Sequence, residues 1–130
     1  MMATVERELE ICGLGHDLLY AWAPWARDDH EGERKSWAVK PRVDHGYHGD
    51  PPKNFFIVDK IVAPHRVQKD AYWRVTSAFY LGERSIWEIA DLLGWSEERV
   101  QVNIVVFCGL VEREWRDYTD ARRVRITRAR

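Results

Sequence analysis

The sequence predicts a mainly α-helical chain, a tri-helical helix-turn-helix core followed by a C-terminal β-hairpin wing. Three observations predict it. Residues 85 to 104 place Ile89, Leu93, Val100 and Ile104 at helical spacing on either side of a short turn. An amphipathic run from Val67 to Leu81 stands directly before that unit. After it, two segments alternate apolar and charged residues around a polar turn, as the strands of a hairpin do.

Each element has its own reasons. Residues 4 to 27 carry an apolar stripe of Leu9, Ile11, Leu14, Leu18 and Leu19, interrupted by Gly13 and Gly15, and read as one or two helices with a kink or restart at Pro24. From Asp28 to Lys53 the chain is charged and then rich in Pro, Gly and His, which reads as a long loop. Phe55, Val58, Ile61 and Val62 fit one face of a helix ending at Pro64, although the β-branched residues leave a strand open. The run Val67 to Leu81 then turns Ala71, Tyr72, Val75, Ala78 and Phe79 inward, and Gly82 closes it.

In the helix-turn-helix, Ala90 keeps the helix crossing narrow and Gly94 permits the left-handed backbone that ends the first helix. Ser96 stands at the N-cap of the next helix, with Glu97 and Glu98 in its first turn. An ordinary helical hairpin needs the apolar period but not Ala, Gly and Ser together. Beyond Gly109, Val111, Arg113 and Trp115 alternate with Glu112, Glu114 and Arg116, and Val124 and Ile126 alternate with Arg123, Arg125 and Thr127. The competing reading is a helix running from Glu97 through Trp115 into a basic tail. Residues 1–54 are thus expected as a helical segment plus loop, and residues 55–130 as a winged helix-turn-helix domain.

Composition narrows the function classes. With 130 residues, 45% hydrophobic content and seven Trp, the chain suits one folded core. No apolar run reaches the roughly 18 residues of a membrane span, and the N-terminus is too acidic for a secretory signal. Cys12 and Cys108 read as free thiols in a reducing cytoplasm. Net charge is −1, but residues 1 to 35 hold four Lys/Arg against eight Asp/Glu, while residues 113 to 130 hold seven Arg against three Asp/Glu. An acidic end and an Arg-rich end suit two different contacts, one of them a phosphate backbone.

The expected site is a DNA-reading helix. Ser96, Glu97, Glu98, Gln101 and Val102 would face the major groove, where Gln pairs with adenine, Glu accepts from cytosine and Val meets a thymine methyl. Arg99 would reach phosphate or guanine, and Asn103 closes the set. Because Glu97 and Glu98 repel phosphate, backbone contacts are assigned to Arg84, Arg113, Arg116, Arg122, Arg123 and Arg125, and Ser85 is counted with the DNA-binding residues. Trp22, Trp25 and Arg27 are the candidate protein contact, packing being the default reading of the Trp residues. Trp73, Trp87 and Trp95 are assigned to the core, and Trp37 enters the loop.

Other chemistry finds few residues. Asp44, His45, His48 and Asp50, with Asp28 and His30, lack the regular ligand spacing of a zinc site. No nucleotide loop, nucleophile motif or paired-carboxylate site stands out, so no enzyme, metal or cofactor is expected.

Trp22, Trp25, Ala26 and Arg27, an apolar helix around Asp59, the segment Tyr80-Leu81-Gly82 and the helix-turn-helix from Ser85 to Ile104 together resemble a phage antitermination protein of the Q type, in its compact lambdoid branch. The resemblance spans roughly residues 18 to 112, and its second half is shared with many regulators, including sigma-factor regions. It implies a factor that binds double-stranded DNA beside a late promoter. Such a factor then joins a paused, sigma-containing RNA polymerase and suppresses pausing and termination. It places the DNA contact on Ser96 to Asn103. The C-terminus departs from that pattern, since Gly109-Leu-Val-Glu-Arg and Arg122-Arg123 look more like winged-helix repressors of the MarR type. A dimeric winged-helix repressor is therefore the alternative, with a homodimer left open. A helix-turn-helix protein that binds and inhibits a host protein is the third reading.

Overall fold

The computed structural model of the chain describes residues 11–29 and 54–128, with side chains to residue 27 in the first stretch and to residue 121 in the second. Among these residues lie α1 (Leu14–Asp29), α2 (Phe55–Gln68), α3 (Ala71–Thr76) prolonged by a π-helical turn (Ser77–Leu81), α4 (Ile86–Leu93) and α5 (Glu97–Arg128). The helix α5 is the axis on which the others pack. Its 32 residues span about 48 Å at 1.5 Å per residue. Val100, Ile104, Phe107 and Val111 are buried along one face at intervals of four, three and four residues, the spacing of a helical stripe.

No wing forms among the described residues: the stretch expected as a β-hairpin is the second half of α5. Val111 and Trp115, which alternate with charged residues as a strand would, are also i and i+4 on a helix. There they extend the buried face of Val100, Ile104 and Phe107. The intervening Asp117-Tyr118-Thr119-Asp120 lacks the Gly or Asn that a tight hairpin turn favours. Thr119 instead turns its hydroxyl back to the Trp115 and Arg116 carbonyls, each at 3.0 Å. Glu112 and Arg116 form an i, i+4 ion pair at 3.5 Å.

Two helix boundaries also differ from expectation. Pro64 lies inside α2, which runs on to Gln68; the ring is on the exposed side, so the N–H donor that proline lacks is missing from the solvent-facing side of the helix rather than from its buried face. The expected Val67–Leu81 helix begins instead at Ala71. Lys69 takes φ 52°, its amide donates to the Arg66 carbonyl, and Asp70 caps α3 by accepting from the Trp73 amide at 2.9 Å. His65 Nδ1 lies 2.7 Å from Asp70 Oδ2, and its ring meets Phe107 edge-on, which fixes this corner against α5.

The helix α1 joins the same core. Leu18, Leu19, Trp22, Ala23 and Ala26 are buried together with Phe55, Val58, Phe107 and Val111. It crosses α5 closely because residue 15 is glycine: a Cβ there would overlap the Cys108 carbonyl. Asn54, at the start of α2, accepts from Trp115 Nε1 at 3.1 Å and ties that helix to the middle of α5.

Candidate nucleic-acid interface

The helix-turn-helix is built by local bonds that its sequence supplies. Ser85 and Glu88 form a reciprocal capping box: the Ser85 hydroxyl accepts from the Glu88 amide at 3.2 Å, and the Glu88 carboxylate accepts from the Ser85 amide at 3.0 Å. Gly94 takes φ 70°, and the Trp95 amide donates to the Ala90 carbonyl at 2.9 Å as α4 ends. The Ser96 hydroxyl accepts from the Arg99 amide at 3.1 Å, so α5 starts with the cap its sequence predicts. Ile89, Ala90, Val100 and Ile104 are buried between the two helices and the core.

This places Ser96, Glu97, Glu98, Arg99 and Val102 on the exposed start of α5, with Gln101 half-buried beside them. Asn103 is half-buried and its amide oxygen is enclosed without a hydrogen-bond partner, so it faces the protein rather than a groove. The Arg99 guanidinium lies 3.8 Å from the centre of the Trp95 ring, which holds this cation at the turn. Arg84 and Ser85 are half-buried, and the Ser85 hydroxyl already serves the capping box.

The expected backbone-gripping arginines of α5 are not beside its first turns. Arg113 and Arg116 are exposed but lie about 18 Å and 22 Å along α5 from Gln101, and Arg116 is paired with Glu112. Arg122, Arg123 and Arg125 have helical backbone in α5, about 32 Å from Gln101 for Arg122, and their side chains fall outside the description. A wing would have folded them back; a continuous helix carries them away. Residues 83 to 102 hold two arginines against five carboxylates, so the module is acidic.

The candidate protein contact is interior. Trp22 is 1% exposed and donates to Asp59 Oδ1 at 3.1 Å. Arg27 is 7% exposed and donates to the carbonyls of Leu81 at 2.8 Å and Tyr80 at 2.9 Å. These carbonyls end the π-helical turn, so the guanidinium satisfies groups that a helix C-terminus leaves open. Trp25 is half-buried against the core. The residues that carry the family resemblance therefore bind one another: Trp22 to Asp59, and Arg27 to Tyr80 and Leu81. Trp73 is buried and Trp95 half-buried, whereas Trp87, assigned to the core, is 62% exposed on α4. Trp37 and the cluster from His30 to Asp50 lie outside the described residues.

Features that sequence reasoning passed over concern α1 and α5. His16 Nδ1 lies 2.8 Å from the Tyr80 hydroxyl, which lies 3.2 Å from Cys108 Sγ. Burial drives the Tyr80 phenol far above its ordinary range, with Cys108 adding to the effect, and burial likewise raises the Cys108 thiol. Both stay protonated near neutrality. A groove of about 280 Å³ opens beside them, lined by Tyr20, Pro24, Phe79, Glu83 and Arg84 among others. Glu83 at its rim takes φ 54°, unusual for a residue with a side chain. No local sequence signal marks it, because the partners are some 60 residues apart.

Among the described residues no group of three His, Cys, Asp or Glu side chains is placed to hold a metal ion, and no helix is long and apolar enough to cross a membrane. Compared with known protein families, curated proteins and solved structures, the chain matches none.

Proposed function

We propose that the chain is a transcription regulator that reads duplex DNA with the first turns of α5 and acts together with RNA polymerase as an antitermination factor. The observation that carries this reading is the capped helix-turn-helix, Ser85 to Ile104, with Glu98, Gln101 and Val102 on the outward side of α5. The interlocked Trp22, Asp59, Arg27 and Tyr80 support the resemblance from which the polymerase role is inferred. Electrostatics favour dependence on a partner. An acidic module attracts phosphate weakly, so delivery by polymerase raises its local concentration at the promoter where free diffusion would not. The test is transcription across an intrinsic terminator by purified polymerase with and without the protein, alongside footprinting of the promoter. Read-through that rises with the protein, and a footprint that extends only when polymerase is present, are expected. Unchanged termination and an unchanged footprint would overturn the proposal.

A second reading has an observation of its own. On α4, Trp87 and Leu92 are exposed, and Val106 is exposed on α5 beyond the reading turn. Large apolar side chains on an acidic helix-turn-helix suit a protein contact that uses the fold without DNA. Polymerase binding that persists without any duplex, and is lost on Trp87→Ala, separates that reading from the first.

A further inference from the structure

We infer that Cys12 and Cys108 form a thiol pair that a small-molecule disulfide oxidises to an intramolecular bond, clasping the start of α1 to the middle of α5. The two cysteines lie 96 positions apart in sequence, and the chain has no others. The fold brings them to one cleft of about 140 Å³, lined by both together with Gly15, Gly109 and Glu112. The cause of the meeting is the close helix crossing: Gly15 lies directly against the Cys108 carbonyl, and Cys12 is three residues before it. Cys12 precedes α1, and Gly13 between them takes φ 97°, so the segment carrying Cys12 adjusts its backbone without disturbing the helix. That freedom suits the Cα separation of roughly 4.4–6.8 Å that a disulfide requires.

The two thiols have unequal access, and this orders the chemistry. Cys12 is exposed and Cys108 is buried. Cys12 thiolate attacks the oxidant, here oxidised glutathione, forming a mixed disulfide and releasing one glutathione thiol. Cys108, after giving up its proton to solvent, attacks the Cys12 sulfur and expels the second glutathione. Two protein thiols and one glutathione disulfide thus become one protein disulfide and two glutathione thiols. Burial raises the Cys108 thiol against the opposing hydrogen bond from Tyr80, and its sulfur is the less accessible of the two, so the second step is the slower one. Neither step depends on what α5 binds.

The experiment treats the full chain with oxidised glutathione at mildly alkaline pH. It follows denatured thiol titration, intact mass and mobility on a non-reducing gel. Loss of both thiols without a retained adduct, a monomer that migrates faster, and full reversal by dithiothreitol are expected. Cys12→Ser should leave Cys108 reduced and free of adduct. Cys108→Ser should stop at a stable glutathione adduct on Cys12. A parent chain that retains the adduct on Cys12, cross-links to a second copy, or keeps both thiols overturns the inference.

Discussion

The Arg27 guanidinium of α1 donates to the Leu81 carbonyl across 54 residues of sequence, closing the end of the π-helical turn just before the helix-turn-helix. This bond, with its companion to Tyr80, makes α1 a support for the helix-turn-helix. Arg27→Ala should lower stability by about 3 kcal/mol, because two carbonyls lose a charged donor in the interior. Arg27→Lys should recover less than half of that, since an ammonium cannot reproduce the fork geometry. Urea unfolding of the three proteins measures both; an Ala variant as stable as the parent would remove the capping role.

Two glycines on the same crossing should respond in opposite directions. Gly15→Ala drives a methyl into the Cys108 backbone and should cost about 2 kcal/mol or more. Gly109 is inside α5 with open space around its Cβ direction, so Gly109→Ala should stabilise by roughly 0.5–1 kcal/mol through helix propensity. Thermal melts of the two variants give the signs directly.

The turn itself is testable at its cap and its left-handed residue. Ser85→Ala, which breaks the capping box, and Gly94→Ala, which forces a Cβ into φ 70°, should each cost about 1 kcal/mol. Gly94→Asn should cost less than Gly94→Ala, because Asn tolerates that backbone. Equal stability of the Asn and Ala variants in denaturant titrations would contradict this.

Stability should be level near neutrality and fall in alkali. The Tyr80 phenol lies above its ordinary 10.0 and the Cys108 thiol above its ordinary 9.0 in the folded chain. On unfolding, each loses its proton at the ordinary value, so above about pH 9 the unfolded state binds fewer protons than the folded state and gains relative to it. Urea melts from about pH 7 to about pH 11 should show this decline. Tyr80→Phe should flatten the part above about pH 10.

DNA binding should be limited by the carboxylates at the tip of α5. Glu97→Gln with Glu98→Gln should tighten binding to duplex roughly five-fold at low salt, with a small loss of stability from the weaker helix-dipole pairing. Arg122→Ala with Arg123→Ala should leave duplex affinity nearly unchanged, since a straight α5 holds these residues about 32 Å from Gln101. Fluorescence anisotropy over a salt series reads both. A large loss in the double arginine variant would mean that the duplex runs along α5 rather than across its tip.

The helix-turn-helix was legible in the sequence because its determinants are local. Gly94, Ser96 and the spacing of Ile89, Val100 and Ile104 act within a few residues of one another, and all occupy the roles they imply. The C-terminal half of α5 misled because Val111 and Trp115 satisfy period two and period 3.6 together. Only the buried face laid down by Val100, Ile104 and Phe107 decides between the periods. The interior position of Trp22 and Arg27 follows the default packing reading, but their partners were not legible. A Trp and an Arg near a loop leave packing and surface contact both open until their distant acceptors, Asp59, Tyr80 and Leu81, are known. The Ser85-x-x-Glu88 spacing is that of a capping box, and the Ser85 hydroxyl serves that box.

Continuity of α5 has a geometric consequence for anything bound at its two ends. Each residue added or removed between Val111 and Trp115 would rotate the arginine-bearing end by about 100° around the rod and shift it by about 1.5 Å. Two ligands held simultaneously by the tip and the tail would therefore lose register after a single insertion. They would come back nearly into phase after a seven-residue one, displaced by about 10 Å along the shaft.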